Sequence, residues 1–494
     1  MLKNIFRTEK FKNALILLII SFSVLAVFSV SSFLYDINPW SDANIFFTMG
    51  RGILHGKKIY VDLFDHKGPL LYLLYSFAAL ISSDSFFGVY VIEEISFFLF
   101  LLYTQKLVNL YSEGHHYILL FLLSVLICTC RAFDFGGGTA EEYILSVFTI
   151  CLYDALKTIH QDEDFSVRSC ILYGIMMWAV FFIKFNLCGF FAGLGIALVF
   201  YQNHKDPRKT WKCLIVVISV FLICSLILAV CLYAGGILDA FFQTYCEFNL
   251  SSYEVSQNPL ITLLDAFSGV LLWYFRENIL VLPFVFLGGL LYLAGKYSNY
   301  EKLTVILTLV FWYGLDMIGG QTIRYYIFPV LMYSFTWIVW ISKQRKSRIL
   351  TVLCTAVTVA AVFQAQNLGR IGKKDTVQNE VVSVMKRYSS QPSLLVYHGY
   401  DEGFYLKAGY TPSCRYFTNI NAPIQDFDEV SLQCIAENRY DFLISMSNDP
   451  SDPPILEVPG YSLLETFQSK YPYNGQYRIY YLYKSDALKA DSEG

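Results

Sequence analysis

Long apolar runs separated by short polar segments dominate the first three-quarters of the chain. Runs near 13–34, 86–110, 116–132, 143–158, 169–186, 187–203, 213–234, 278–295, 303–319, 326–342 and 349–365 approach the roughly 20 mostly apolar residues that a spanning helix needs. A twelfth run, 69–81, is shorter, and whether it crosses sets the sidedness of everything after it. The basic residues decide. Lys3, Arg7, Lys10 and Lys12 place the N-terminus in the cytoplasm. If 69–81 does not cross, later cytoplasmic segments hold Lys106, Lys157, Arg168, Lys205, Arg208, Lys209, Lys212, Lys296, Lys302, Lys343, Arg345, Lys346 and Arg348. The opposite loops at 131–142 and 235–277 then hold only Arg131 and Arg276. A crossing would reverse this. The pattern predicts about eleven spans and a helix over 69–81 lying along the membrane surface.

Three parts then face outward: a long loop at 35–85, the loops at 131–142 and 235–277, and everything after about 366. In that tail a polar linker at 369–374 precedes short β-rich runs at 394–398, 442–446 and 477–483, with helical stretches at 375–388 and 426–439 between them. The expected fold is an all-α polytopic membrane protein with a C-terminal soluble α/β domain. The expected domains are 1–366, carrying the outer loop 35–85, and an extracytoplasmic domain at 367–494. Cys414 and Cys434 both lie in the tail, as a disulfide or as two free thiols. No internal repeat or low-complexity segment interrupts the pattern.

Composition narrows the class. Charged residues make up 16% of the chain against about 25% in soluble proteins, which excludes disorder and argues against an ordinary cytosolic enzyme. The 17% of aromatics suits many membrane–water boundaries. A net charge of -3 gives no sign of nucleic-acid binding. Most of the 12 cysteines lie in or beside apolar runs, Cys128 and Cys130 included, and no zinc-type spacing occurs. The first apolar run is too long for a cleavable signal and lacks a small-residue cleavage site.

Ionisable residues collect in four places. The first loop holds Asp36, Asp42, Arg51, His55, Lys57, Lys58, Asp62, Asp65, His66 and Lys67. Its Asn44–Arg51 stretch suits an amphipathic interfacial helix, with Asp42 as N-cap and Ser41 as the rival cap. In Asp65-His66-Lys67-Gly68-Pro69-Leu70, Lys67 beside a helix N-terminus makes a phosphate site, or else it is a lysine snorkelling to the interface. In Asp134-Phe135-Gly136-Gly137-Gly138-Thr139-Ala140-Glu141-Glu142-Tyr143 the two glutamates suit a helix dipole, while the glycines permit close backbone approach to a ligand. In Gly319-Gly320-Gln321-Thr322-Ile323-Arg324-Tyr325-Tyr326-Ile327-Phe328-Pro329, Arg324 is either an aromatic-belt cation or a phosphate clamp. Lys184 is a further cation, and either it or Arg324 has Asp316 or a lipid headgroup as an alternative partner. On the predicted topology all four places share the outer face. Cations for a lipid phosphate and a carboxylate base for an incoming hydroxyl are what a lipid-phosphate substrate requires.

These segments, in this order, resemble the polytopic C-type glycosyltransferases, in particular bacterial relatives of protein O-mannosyltransferases and lipid A aminoarabinose transferases. The residues that carry the resemblance are Trp40-Ser41-Asp42, Tyr60-Val61-Asp62-Leu63-Phe64-Asp65-His66-Lys67-Gly68-Pro69-Leu70, Gly136-Gly137-Gly138 with Glu141-Glu142, and Arg324-Tyr325 with Pro329. The Asp-His-Lys-Gly-Pro segment is the most specific. The resemblance implies inverting transfer of a sugar from a polyprenyl phosphate to a hydroxyl of a cell-envelope polysaccharide, lipid or protein. It implies a multi-pass plasma-membrane location with membrane lipids as further partners. In that scheme Asp42 is the base, and Lys67, Arg324, Tyr325 and Lys184 contact the donor phosphate. Glu141, Glu142 and His66 then support sugar or acceptor, and 69–81 matches a juxtamembrane helix. Many relatives have two adjacent acids in the first loop. Here Asp42 follows Ser41, so the base acts alone or with Asp65. Relatives often have a histidine where this chain reads Arg-Tyr-Tyr. No D-x-D or D-x-H pair marks a metal, so none is expected, and no cofactor beyond the donor. The rival readings are a transporter or flippase of a lipid-linked sugar and a glycan polymerase or ligase. Transport fits less well, because ionisable groups away from the outer boundary are confined to Glu93 and Glu94.

Overall fold

The computed structural model describes residues 9–133, 136–251, 259–318, 322–438, 440–449, 458–470 and 477–488. By internal contacts the chain forms two compact units, each gathered from separate stretches. One takes Met1–Ser29, Ile92–Val230 and Glu254–Leu368, the other Val30–Val91, Cys231–Tyr253 and Gly369–Gly494.

The first unit is built of apolar helices. Among the described residues six helical segments of the chain are long and apolar enough to cross a membrane: Glu9–Phe28, Phe87–Tyr111, Phe185–Lys205, Pro207–Ala234, Arg324–Ser342 and Ser347–Gln364. Pro207–Ala234 leaves Ile215, Leu222, Leu226 and Val230 exposed, an outward apolar surface that suits lipid and not water. Tyr117–Thr129, Val167–Ile183 and Leu282–Ala294 are shorter apolar helices. Each of the eleven apolar runs read from the sequence contains helix, though several helices are shorter than their run: 278–281 is turn ahead of Leu282–Ala294, and Tyr117–Thr129 stops short of residue 132. The first helix ends at Phe28 and gives way to turns before residue 34. The run at 326–342 begins as a 3-10 helix, Arg324–Ser334, and turns α-helical only at Phe335. Pro329 lies inside the 3-10 part, where it has no N–H to donate to an α-helical ladder.

The segment 235–277, expected as an outer loop, is helical from Leu238 onward wherever it is described. Leu238–Phe241, Phe242–Phe248 and Asn249–Ser251 run on from one another, and Pro259–Asp265, Ala266–Val270 and Leu271–Glu277 do the same. Its polar residues, such as Asp239, Gln243, Asp265 and Ser268, break up the apolar pattern without breaking the helix.

In the second unit the expected outer loop is largely two helices, Ser41–Leu54 and Pro69–Ile81. Thirteen residues make about 20 Å of helix, short of a hydrocarbon core of about 30 Å. The two helices pack so closely that a Cβ on Gly50 would lie 2.6 Å from the Tyr75 carbonyl carbon. The tail forms a four-stranded sheet in the order β1-β2-β4-β3, with β1 Leu394–Val396, β2 Phe442–Ser447, β3 Tyr461–Lys470 and β4 Tyr477–Ser485. β1 and β2 are parallel and the other pairs antiparallel. Helices Val377–Met385 and Phe427–Asn438 accompany it, and Leu394, Val396, Phe442, Ile444 and Leu482 form its fully buried centre. Strand β3 has no counterpart in the sequence reading. It is an edge strand with Phe467 as its only buried residue, so it carries no apolar run to read. Cys414 and Cys434 are paired, their Cα atoms 5.6 Å apart, which resolves the choice left open by the sequence. The tail also bonds to the first outer segment within this unit: Thr48 donates to Asp401 at 2.9 Å, Lys407 pairs with Asp36 at 2.8 Å, and Phe64 N–H donates to the Arg415 carbonyl at 2.9 Å.

Candidate functional site

In the second unit, Asp42 opens the Ser41–Leu54 helix but does not cap it. The N-cap is Trp40, in extended conformation, and no side chain makes a cap hydrogen bond. Both cap assignments made from the sequence, Asp42 and Ser41, are therefore corrected. Instead Asn44 Nδ2 reaches back to the carbonyls of Asn38 (2.7 Å) and Trp40 (2.8 Å), fixing the entry turn. Asp42 is half-buried in the first turn. Its charge is felt at Tyr400, whose pKa burial raises, the Arg478 charge lowers and the Asp42 charge raises again.

Asp65, His66 and Lys67 form one chain of polar contacts. Asp65 Oδ2 accepts from Tyr72 OH at 2.8 Å, and its Oδ1 lies 3.4 Å from His66 Nδ1. Lys67 Nζ lies 2.8 Å from His66 Nε2. With the ammonium donating to Nε2, the ring proton belongs on Nδ1, facing Asp65. The backbone is held as firmly: Lys67 N–H donates to Tyr72 OH, Tyr60 OH donates to the Lys67 carbonyl, and Asn249 Nδ2 donates to the His66 carbonyl. Asp65 and His66 are buried and Lys67 is half-buried. Burial pushes the Asp65 pKa up, but the hydrogen bond from His66, the Lys67 charge and the Tyr72 hydroxyl outweigh it and hold the carboxyl at about 2, below its usual 3.8.

A depressed carboxyl pKa stabilises the fold above the unfolded-state value and stops doing so as pH falls through the folded-state value. Asp65→Asn is accordingly expected to lower stability at neutral pH by about 2 kcal/mol. Thermal unfolding of both proteins between neutral pH and pH 3 checks this. The gap should narrow once pH falls below the ordinary 3.8, and a gap independent of pH would contradict the assignment.

The first unit brings together a second set. Thr139 caps the Ala140–His160 helix by accepting from Glu142 N–H at 3.1 Å, and Glu142 Oε2 accepts from Gly138 N–H at 3.0 Å. Glu142 thus closes the helix start. Its neighbour Glu141, 1% exposed, is ion-paired with Lys184, which sits in the break between Val167–Ile183 and the next helix. The Lys184 ammonium lies 3.6 Å from the Tyr326 ring centre and 5.7 Å from that of Tyr325. Asp316, the alternative partner considered for Lys184 or Arg324, takes its hydrogen bond from Asn186 Nδ2 at 2.6 Å. Arg324 instead pairs with Glu277 at 3.3 Å. The three glycines 136–138 all have positive φ, and a Cβ on Gly137 would lie 2.5 Å from Glu93 Oε1 and 2.8 Å from Ser29 Oγ. The close approach they permit is to this protein's own side chains. Glu93 also accepts from Ser29 Oγ at 2.6 Å, and Glu94 from Ser21 Oγ at 2.5 Å.

Asp134, Phe135, Gly319, Gly320 and Gln321 lie outside the described residues. Glu277, Asn186, Tyr72, Asn249 and Tyr326 were not singled out by sequence. Apart from Tyr72, which lies five residues beyond Lys67, these partners come from remote segments and leave no local spacing to find. Among the described residues no group of three or more His, Cys, Asp or Glu is placed to hold a metal ion.

No protein-family model and no curated protein sequence matches the chain. Solved structures do match. The crystal structure of ArnT from Cupriavidus metallidurans bound to undecaprenyl phosphate aligns with a TM-score of 0.57 at 10% identity, covering 94% of this chain and 97% of that chain. The apo-state structure of the same protein aligns with the same values. The chain has the fold of this ArnT: many apolar helices followed by a C-terminal region with a mixed sheet.

Proposed function

We propose that this protein is an inverting glycosyltransferase that moves a sugar from a polyprenyl-phosphate donor to a hydroxyl of a cell-envelope acceptor at the outer face of the membrane. The observation that carries the reading is the ArnT fold along 94% of the chain, known with undecaprenyl phosphate bound in that relative. In this reading Asp42 takes the proton of the acceptor hydroxyl. The oxygen attacks the anomeric carbon from the face opposite the phosphate, the bond from that carbon to the phosphate oxygen breaks, and polyprenyl phosphate leaves with the electron pair. Lys67 meets the negative charge that develops on the leaving phosphate.

Asp65 acts through its neighbours. A carboxyl held at about 2 and already accepting from Tyr72 is a weak proton acceptor, but it fixes His66, and His66 fixes the Lys67 ammonium. Lys184, Arg324 and Tyr325 are assigned to the donor phosphate, and Glu141 and Glu142 to the sugar side. Lys184 and Arg324 each hold a carboxylate partner, so an arriving phosphate competes with Glu141 or Glu277. The outward placement of the tail is supported by the Cys414–Cys434 pair, since disulfides persist in oxidising compartments.

The test uses the purified chain in detergent, a panel of tritiated polyprenyl-phosphate sugars and a cell-envelope extract. Label should move to the acceptor fraction with inverted anomeric configuration. Retained configuration, or no transfer from any donor by stably folded protein, would overturn the reading.

A further inference from the structure

The second unit contains a pocket that the roles above leave unused. Its cavity volume is about 190 Å3, and it opens to solvent. One wall is the 35–39 segment leading into the Ser41–Leu54 helix, another is the stretch 370–378, and the third is formed by Glu402, Tyr480 and the end of β3. Three carboxylates and three cations line it, but they are not each other's partners. Asp36 is neutralised by Lys407, outside the lining, and also accepts from Asn379 Nδ2 at 2.7 Å. Glu402, 1% exposed, is ion-paired with Arg478, also outside the lining, and accepts from Tyr480 OH at 2.7 Å. Against the remaining Asp375 stand Arg370, Lys373 and Lys470, so the pocket presents a net positive field.

Arg370 is the inner cation. Its Nη1 is buried and finds no hydrogen-bond partner among the described residues. Its charge reaches the buried Tyr35, whose pKa burial raises, against the pull of Arg370, to about 12. A buried guanidinium nitrogen without an acceptor is costly, and an oxyanion supplies what it lacks. Lys373 and Lys470 are exposed and stand at the rim. The pocket is also linked along the chain to the proposed base. Pro39 lines it and Asp42 follows Pro39 by one turn of chain, while Arg478, which neutralises Glu402, acts with Asp42 on Tyr400.

We propose that this pocket binds a phosphate group carried on a small polyol or sugar, with Arg370 as its main contact and Lys373 and Lys470 at its mouth. That the phosphate belongs to the acceptor rests on the transfer reading above. That the pocket takes phosphate does not, so binding is measured on full-length protein in neutral detergent without donor. The probes are glycerol phosphate, short-chain phosphatidylglycerol and, as the uncharged control, glycerol. At least one phosphate probe should bind, more weakly at high salt, and Arg370→Gln should weaken it by roughly tenfold or more, the scale of one charge-assisted hydrogen bond. Arg370→Lys, at the same thermal midpoint, should keep part of the affinity, which separates a lost contact from a damaged fold. Binding of glycerol phosphate names a water-soluble phosphate source, and binding of the lipid alone names a headgroup. Binding of neither, equal binding of glycerol, or phosphate binding unchanged in Arg370→Gln would overturn the proposal.

Discussion

Asp42→Asn is expected to lower turnover by roughly 10²–10⁴-fold, the range for a lost general base, with little change in thermal midpoint. Asp42 is not the helix cap, so no cap hydrogen bond is lost, and Asn keeps its size. Substitution also removes one negative charge from the first helical turn, worth about 0.3–1 kcal/mol. Removing the charge should also ease ionisation of Tyr400, a change that tyrosine absorbance against pH can follow. Full activity would reduce Asp42 to a dipole-stabilising residue and turn the search to Glu141, since Asp65 is held ionised at about 2.

Lys184→Met should be the most destabilising single change. It leaves Glu141, 1% exposed, as a buried charge without its cation, and it removes the ammonium from the Tyr326 ring. Breaking one side of a buried pair costs about 3–5 kcal/mol, whereas replacing both sides is often neutral. Thermal unfolding in detergent should therefore show a large loss for Lys184→Met and a substantial recovery for the Glu141→Gln, Lys184→Met double variant. The double variant also separates structure from chemistry. If Lys184 serves only to balance Glu141, the double variant turns over as Glu141→Gln alone does. If it also holds the donor phosphate, stability returns while the KM for donor stays high.

Some of this architecture was written locally in the chain and some was not. The spanning helices were legible because about 20 apolar residues in a row have few other uses. The Pro69–Ile81 helix was legible because it is one apolar run opened by a proline at its first position. The Asp65-His66-Lys67 chain was legible because its members are adjacent. The partners of Arg324 and Lys184 were not, because Glu277 and Glu141 come from other helices. The N-terminus of the Ser41–Leu54 helix misled for a different reason. Asn44 fastens the entry turn from inside the helix, so the preference of Ser and Asp for the cap position had no role to play. The tail sheet was half legible: central strands carry apolar runs, and the exposed edge strand β3 does not.

The second unit is assembled from three stretches far apart in the chain, and this has a consequence for biosynthesis. The hydroxyl of Thr48 waits for Asp401, 353 residues later. At a synthesis rate of about 5–20 residues per second, the first stretch stands without its partner for roughly 20 to 70 s. During that interval the Ser41–Leu54 helix has Pro69–Ile81 to pack against, but the part of its surface that the tail covers, Thr48 included, stands open. The proposed base and lysine therefore gain their final surroundings only after the tail has been made, and a ribosome that stalls anywhere before the sheet leaves a membrane-inserted but inactive chain, a natural substrate for chaperones and proteases.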